Sequence, residues 1–137
     1  YGKCGKASPM KDSHITILVV DDDDSFRKVI TKILTAKGYR VVEVPMSSPV
    51  IHSIIKEKPD LILLDLYMPR AGGIEIIKTM KRMDIDIPVV IISGLLSNLD
   101  FQILHEKGVK HFLAKPVSLR ILLAKVKEVL YSRVVSL

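Results

Sequence analysis

From His14 onward the chain switches repeatedly between short β-branched runs and longer segments of helical period, and this alternation constrains its fold more than any single residue does. Five such pairs are present. Repeated βα units imply a parallel sheet, because a strand and its parallel neighbour need a crossover long enough to hold a helix. Ile15–Val20 (ITILVV) and Leu61–Leu64 (LILL) are continuously apolar, as strands buried on both faces are, and the first is expected to be central. Arg40–Val44, Val89–Ser93 (opened by Pro88) and Lys110–Ala114 supply the other strands.

The intervening segments carry helical stripes. Phe26, Val29, Ile30, Ile33 and Leu34 recur at helical spacing behind an acidic start, and Gly38 stands where a left-handed residue would stop the helix. Ser48 and Pro49 offer an N-cap and a first-turn proline to a helix reaching about Glu57. A loop with Met68-Pro69 and Gly72-Gly73 precedes a helix with Ile74, Ile77 and Met80 on one face. The fourth helix, Ser97 to Lys107, has a weaker pattern, and its lead-in Gly94-Leu95-Leu96 marks a mobile or partner-binding region. Ser118 caps the last helix, whose stripe is Leu119, Leu122, Leu123, Val126, Val129 and Leu130.

The length of 137 residues fits one domain, expected over 14–133. Apolar residues are 48% and charged ones 26%, and no apolar run approaches the roughly 18 residues of a membrane span, so a soluble domain is expected. The net charge of +6 is concentrated at the end: residues 101–137 hold seven basic and two acidic side chains. That excess suits nucleic acid, an acidic partner or a lysine-rich solvated helix face. With no Trp, four Tyr and three Phe, a base-stacking platform is poorly supported. Cys4 is the lone cysteine, and His14, His52, His105 and His111 show no metal-ligand spacing with it, which favours a reducing, cytoplasmic location. Residues 1–13 lack a secretory apolar stretch and read as a flexible tail, a linker or a cloning remnant. Residues 134–137 read as a C-terminal tail, and the apolar ending YSRVVSL fits truncation from a longer protein.

Ligands of open parallel α/β sheets sit beyond the carboxyl ends of the strands. Here the first strand ends in Asp21-Asp22-Asp23-Asp24, the third in Asp65, the fourth in Ser93, and the fifth just before Lys115-Pro116. Each residue alone has an ordinary reading as a cap, a turn residue or a surface lysine. Their coincidence at equivalent strand ends points to chemistry. Crowded carboxylates need a hard cation, and Mg²⁺ suits them, with Asp65 and Asp22 as ligands, Asp21 holding a water, and a backbone carbonyl from the following loop. Asp23 and Asp24 serve the next helix. Such a site suits phosphoryl transfer: Asp65 as nucleophile forms an acyl phosphate, while Lys115 and the Ser93 hydroxyl meet its oxygens.

At this point the sequence resembles the receiver domain of two-component response regulators, from about Ile15 to Leu130. The matching pieces are VVDDD at 19–23, LILLDLYMP at 61–69, VVIISG at 89–94 and GVKHFLAKP at 108–116. The resemblance implies a doubly wound (βα)5 domain of flavodoxin-like strand order 2-1-3-4-5. It makes Asp65 the phosphoacceptor, Asp21 and Asp22 the acidic pair for Mg²⁺, with Mn²⁺ as a substitute, and Tyr67 the backbone-carbonyl ligand. Ser93 matches the family's hydroxyl position, Lys115 its lysine, Pro116 the proline after a cis bond, and Phe112 the switch aromatic. Phe112 reads equally well as an ordinary core aromatic.

The implied function is to take a phosphoryl group from a sensor histidine kinase or histidine phosphotransfer protein and to switch the face of the last two helices toward an output domain or effector. The chain would catalyse its own phosphorylation and dephosphorylation without being an enzyme in the ordinary sense. Three features depart from the pattern: Gly72 where an aspartate is frequent, the start Met46-Ser47-Ser48-Pro49 of the second helix, and apolar Leu95. Asp100 and Glu106 are the only acids of the fourth helix region, so dimerisation through the last helices is not predicted. A haloacid-dehalogenase-type phosphatase would need an acid two positions after the nucleophile, where Tyr67 stands. No DNA-binding motif is visible, so direct nucleic acid binding is not expected, nor is a membrane. The remaining alternative is a pseudo-receiver that binds partners without phosphorylation.

Overall fold

The continuously apolar runs form the middle of a five-stranded parallel sheet because every one of their residues is covered from both sides. The computed structural model describes residues 15–44, 48–69 and 72–135. The expected tail at 1–13, the Met46-Ser47 pair and residues 136–137 lie outside the described residues. The strands are β1 (Thr16–Val20), β2 (Arg40–Glu43), β3 (Leu61–Asp65), β4 (Val89–Ser93) and β5 (His111–Ala114). Between and after them run α1 (Asp24–Ala36), α2 (Val50–Glu57), α3 (Gly73–Arg82), α4 (Asn98–Glu106) and α5 (Leu119–Val135). All neighbouring strands are parallel in the order β2-β1-β3-β4-β5, the expected one.

Successive strand residues point to opposite faces, and each face has its own core. Leu18, Val20, Ile62, Leu64 and Ile91 pack with Val50 and Ile54 of α2, Ile76, Ile77 and Met80 of α3, and Leu104 of α4. On the other face Ile17, Val19, Leu63, Val90 and Ile92 meet Ile30 and Leu34 of α1 and Leu122, Val126 and Val129 of α5.

Local signals acted as their chemistry dictates at three places. The Asp23 side chain accepts from the Phe26 N–H at the start of α1, Ser118 accepts from the Ile121 N–H at the start of α5, and Gly38 takes φ +100° after α1. Other expectations are corrected. Ser48 does not cap α2: the helix begins at Val50 with Pro49 in the cap position and no side-chain cap bond. Val29 and Leu119 belong to their helical stripes by spacing but are exposed, because each sheet face covers a narrower arc than the stripe. β5 begins at His111, leaving Lys110 outside the ladder.

The β3–α3 loop returns tightly to its own strand, with the Gly73 N–H donating to the Leu66 carbonyl at 2.9 Å. A Cβ on Gly73 would stand 2.8 Å from Leu66 Cα and 2.9 Å from the Asp65 carbonyl oxygen, whereas one on Gly72 would meet nothing within 4 Å. Gly73→Ala is therefore expected to destabilise by about 1–3 kcal/mol through displaced backbone. Gly72→Ala should stay within about 0.5 kcal/mol of the parent in the same urea titration. Equal effects would show that the loop is not held against the strand end.

Candidate functional site

The sheet register decides which side chains meet. Val20 pairs with Leu64, so Asp21, one step on, comes beside Asp65 at the end of β3. Asp65 pairs with Ile92 and Ser93 with Ala114, which brings Lys115 to the same rim. The carboxylate oxygens of Asp21, Asp22 and Asp65 lie within 4.8 Å of one another. Asp21 and Asp65 are buried and Asp22 is exposed.

Lys115 reaches this cluster from the far strand. Its Nζ lies 2.8 Å from Asp21 Oδ2 and 3.6 Å from Asp65 Oδ2. The same ammonium stands 4.7 Å from the centroid of the Phe26 ring, on the first turn of α1. Burial alone would lower the Lys115 pKa, but the hydrogen bond and charge of Asp21, followed by Asp65, carry it upward. Asp65 moves upward as well, chiefly through burial and then the charge of Asp21, against the lowering influence of Lys115 and the Tyr67 N–H, with Asp22 adding to the rise. The Lys115-Pro116 peptide bond is cis.

Three carboxylates faced by one ammonium leave a local charge of about −2, which a divalent cation would neutralise. An all-oxygen donor set with one exposed member suits a hard ion that keeps several waters, so the residues present fit Mg²⁺.

Around this centre the remaining expected residues take definite positions. Ser93 is buried, and its hydroxyl donates to the Leu95 carbonyl at 3.0 Å, tying down the loop after β4. Tyr67 lies in the β3–α3 loop, its N–H 3.4 Å from Asp65 Oδ1 and its phenol donating to Asp100 of α4. Phe112 is half-buried on β5, in contact with the core and with the Phe101 ring of α4, centroid to centroid 4.9 Å.

Arg27 was not among the expected site residues. Its guanidinium donates to the Asp21 carbonyl and to Glu43, each at 2.7 Å, and pairs with Asp24, so it braces the acidic loop from behind. Phe26 beneath Lys115 and the Tyr67–Asp100 bond were missed as well. An arginine three residues after Asp24 signals only a helix pair; its reach to β2 has no linear signature.

The sequence profile of the response regulator receiver domain matches residues 17–127. The chain is 36% identical over 118 residues to the phosphate regulon transcriptional regulatory protein PhoB of Pseudomonas aeruginosa, covering 84% of this chain and 51% of that protein. It is 33% identical over 129 residues to the regulatory protein VirG of Agrobacterium tumefaciens, covering 93% of this chain and 46% of VirG. The chain thus spans about half the length of these curated relatives. Among solved structures, the CheY-like receiver domain protein of Methanospirillum hungatei superposes with a TM-score of 0.80 at 27% identity, over 86% of this chain and 94% of that one.

The raised Asp65 pKa has a sign that can be read in solution. The unfolded chain ionises this group near its ordinary value of 3.8 and the folded chain only above it. Its stabilising contribution is therefore complete below that value and is lost as pH rises through the folded pKa. With divalent metal chelated, Asp65→Asn should melt above the parent at neutral pH, and the difference should close as pH falls below the carboxylate range. Thermal melts across that window decide it, and a parent more stable than the variant at neutral pH would refute it.

Proposed function

Starting from a chain that belongs to the response regulator receiver domain family, we propose that Asp65 accepts a phosphoryl group and that the bond it forms is communicated to α4. The observation that supports this reading most directly is the meeting of Asp21, Asp22, Asp65 and Lys115 at the ends of three strands.

The donor is a phosphohistidine on a sensor histidine kinase or a histidine phosphotransfer protein, and the reaction takes place in the cytoplasm. An Asp65 carboxylate oxygen attacks phosphorus; the phosphorus–nitrogen bond breaks, and its electron pair leaves with the imidazole. Asp65 is well suited because it is buried enough to be poorly solvated, while the Lys115 ammonium beside it favours the carboxylate form against that burial. The Lys115 ammonium, already 3.6 Å from Asp65, is placed to meet a phosphoryl oxygen. Asp21, Asp22, Asp65 and the Tyr67 carbonyl would hold Mg²⁺, or Mn²⁺ in its place, which when bound neutralises the crowded oxygens.

Ser93 converts that event into movement. Its hydroxyl has one proton, now given to the Leu95 carbonyl. Donating it to a phosphoryl oxygen releases the loop that leads into α4. Phe112, packed against Phe101, is positioned to follow α4. The two arrangements exist in equilibrium, and the phosphoryl group favours the one that offers it Ser93. An output domain or effector reads the result, in keeping with relatives named as regulatory proteins.

Intact mass after incubation with acetyl phosphate tests the proposal. One added phosphoryl mass is expected in the parent with Mg²⁺, and none with chelator or in Asp65→Asn. Ser93→Ala should still accept the group, because the hydroxyl serves the response rather than the attack. No gain in the parent would overturn the reading and leave a binding module that works without phosphorylation.

A further inference from the structure

A cavity lies at the opposite pole of the sheet. It has a volume of about 450 Å³ and is bounded by the first residues of β4 and β5, Val89 and His111, the turns before them, and the facing ends of α3 and α5. Asp65, Ser93 and Lys115 stand at the other ends of the strands, roughly 13 Å away along β4. Neither the phosphoryl reaction nor the switch uses this space.

Its lining divides by chemistry. Met80, Val109 and Val129 are buried apolar residues that form its inner wall. Lys81, Lys107 and Lys110 also line it, with Asp86 as the acidic member. These lysines come from three separate places in the chain: the end of α3, the cap of α4 and the residue before β5. None of the three takes part in an ion pair among the described residues. Lys81 Nζ leans over the α4–β5 turn, 3.4 Å from where a Cβ on Gly108 would stand, and Gly108 holds φ +88°. His111 also lines the cavity; burial and then Lys125 lower its pKa against the opposing pull of Glu128, with Lys110 adding to the lowering, so it contributes a neutral imidazole at neutral pH.

Three ammonium groups against the one carboxylate of Asp86 leave an excess of positive charge around an apolar concavity, and its potential is focused by the low-dielectric wall behind it. The volume falls in the range of small-molecule sites rather than of extended protein grooves. We propose that this cavity is a binding site for a small organic anion, with an apolar or aromatic body against Met80, Val109 and Val129 and an acidic head held by Lys81, Lys107 and Lys110. Binding there is independent of Asp65 and of divalent metal, so it stands or falls separately from the phosphoryl-transfer reading.

Two probes separate the components: anilinonaphthalene sulfonate, an aromatic body with an anionic head, and the neutral phenylnaphthylamine, which has the same body without the charge. Each is titrated into the labelled protein and followed by amide shifts. The sulfonate is expected to shift the amides of Asp86, Ile87, Val89 and residues 107–111, to weaken as salt is raised, and to bind equally with and without Mg²⁺. The neutral probe should bind far more weakly. The Lys81→Gln/Lys107→Gln pair should weaken the sulfonate by about tenfold or more, each charge-assisted bond being worth about that factor. Lys110→Gln serves as a second variant at an exposed position, and unchanged melting temperatures show that both fold. Shifts centred on Leu95, Leu99 and Phe101, equal binding of the two probes, or sulfonate affinity unchanged in the variants would overturn the proposal.

Discussion

The ion pair of Lys115 with Asp21, 94 residues away in sequence, is the contact around which the rest of the rim is arranged. Two buried carboxylates at adjacent strand ends repel one another and are poorly hydrated. Lys115 offsets both from the end of β5, while the ring of Phe26 supports the ammonium from α1. Three strands and one helix therefore share one charge. Removing the lysine would leave two buried acids without their cation, a larger effect than the loss of a surface pair.

From this centre, contacts run outward toward α4. Ser93 binds the carbonyl of Leu95, Tyr67 binds Asp100, and Phe112 rests on Phe101. The first holds the loop that leads from β4 into α4, the second reaches α4 from the β3–α3 loop, and the third reaches it from β5. α4 is also the helix with the thinnest hold on the core, since Leu104 is its one buried residue. A weakly anchored element held at two points, with the loop that leads into it held at a third, is well placed to respond when the site changes charge. Arg27 does the opposite on the far side, fixing the acidic loop to Glu43 so that Asp21 stays in place.

Much of this was legible along the chain because it is local. Apolar runs bounded by polar ends mark buried strands, and Asp23, Gly38 and Ser118 act within three or four residues of themselves. Asp65, Ser93 and Lys115 were recognisable because each follows an apolar run at its carboxyl end. Other features left no local trace. Lys58 and Asp84 adopt left-handed backbone that a glycine would have signalled and they do not. Val29 and Leu119 satisfy the helical period yet face solvent, since periodicity gives a direction around the helix and not the width of what covers it.

The sequence by itself determined the alternation of strands and helices, the buried character of β1, β3 and β4, and the kinds of side chain at the strand ends, because each is a property of a short stretch of chain. Only the tertiary structure decided which of those side chains meet. Strand order sets β1 beside β3, and the register then brings Asp21 to Asp65 and Lys115 to both. The same packing gathers Lys81, Lys107 and Lys110 around one cavity at the other pole. Contacts across long separations depend on sheet order and register, and these arise when the whole core closes.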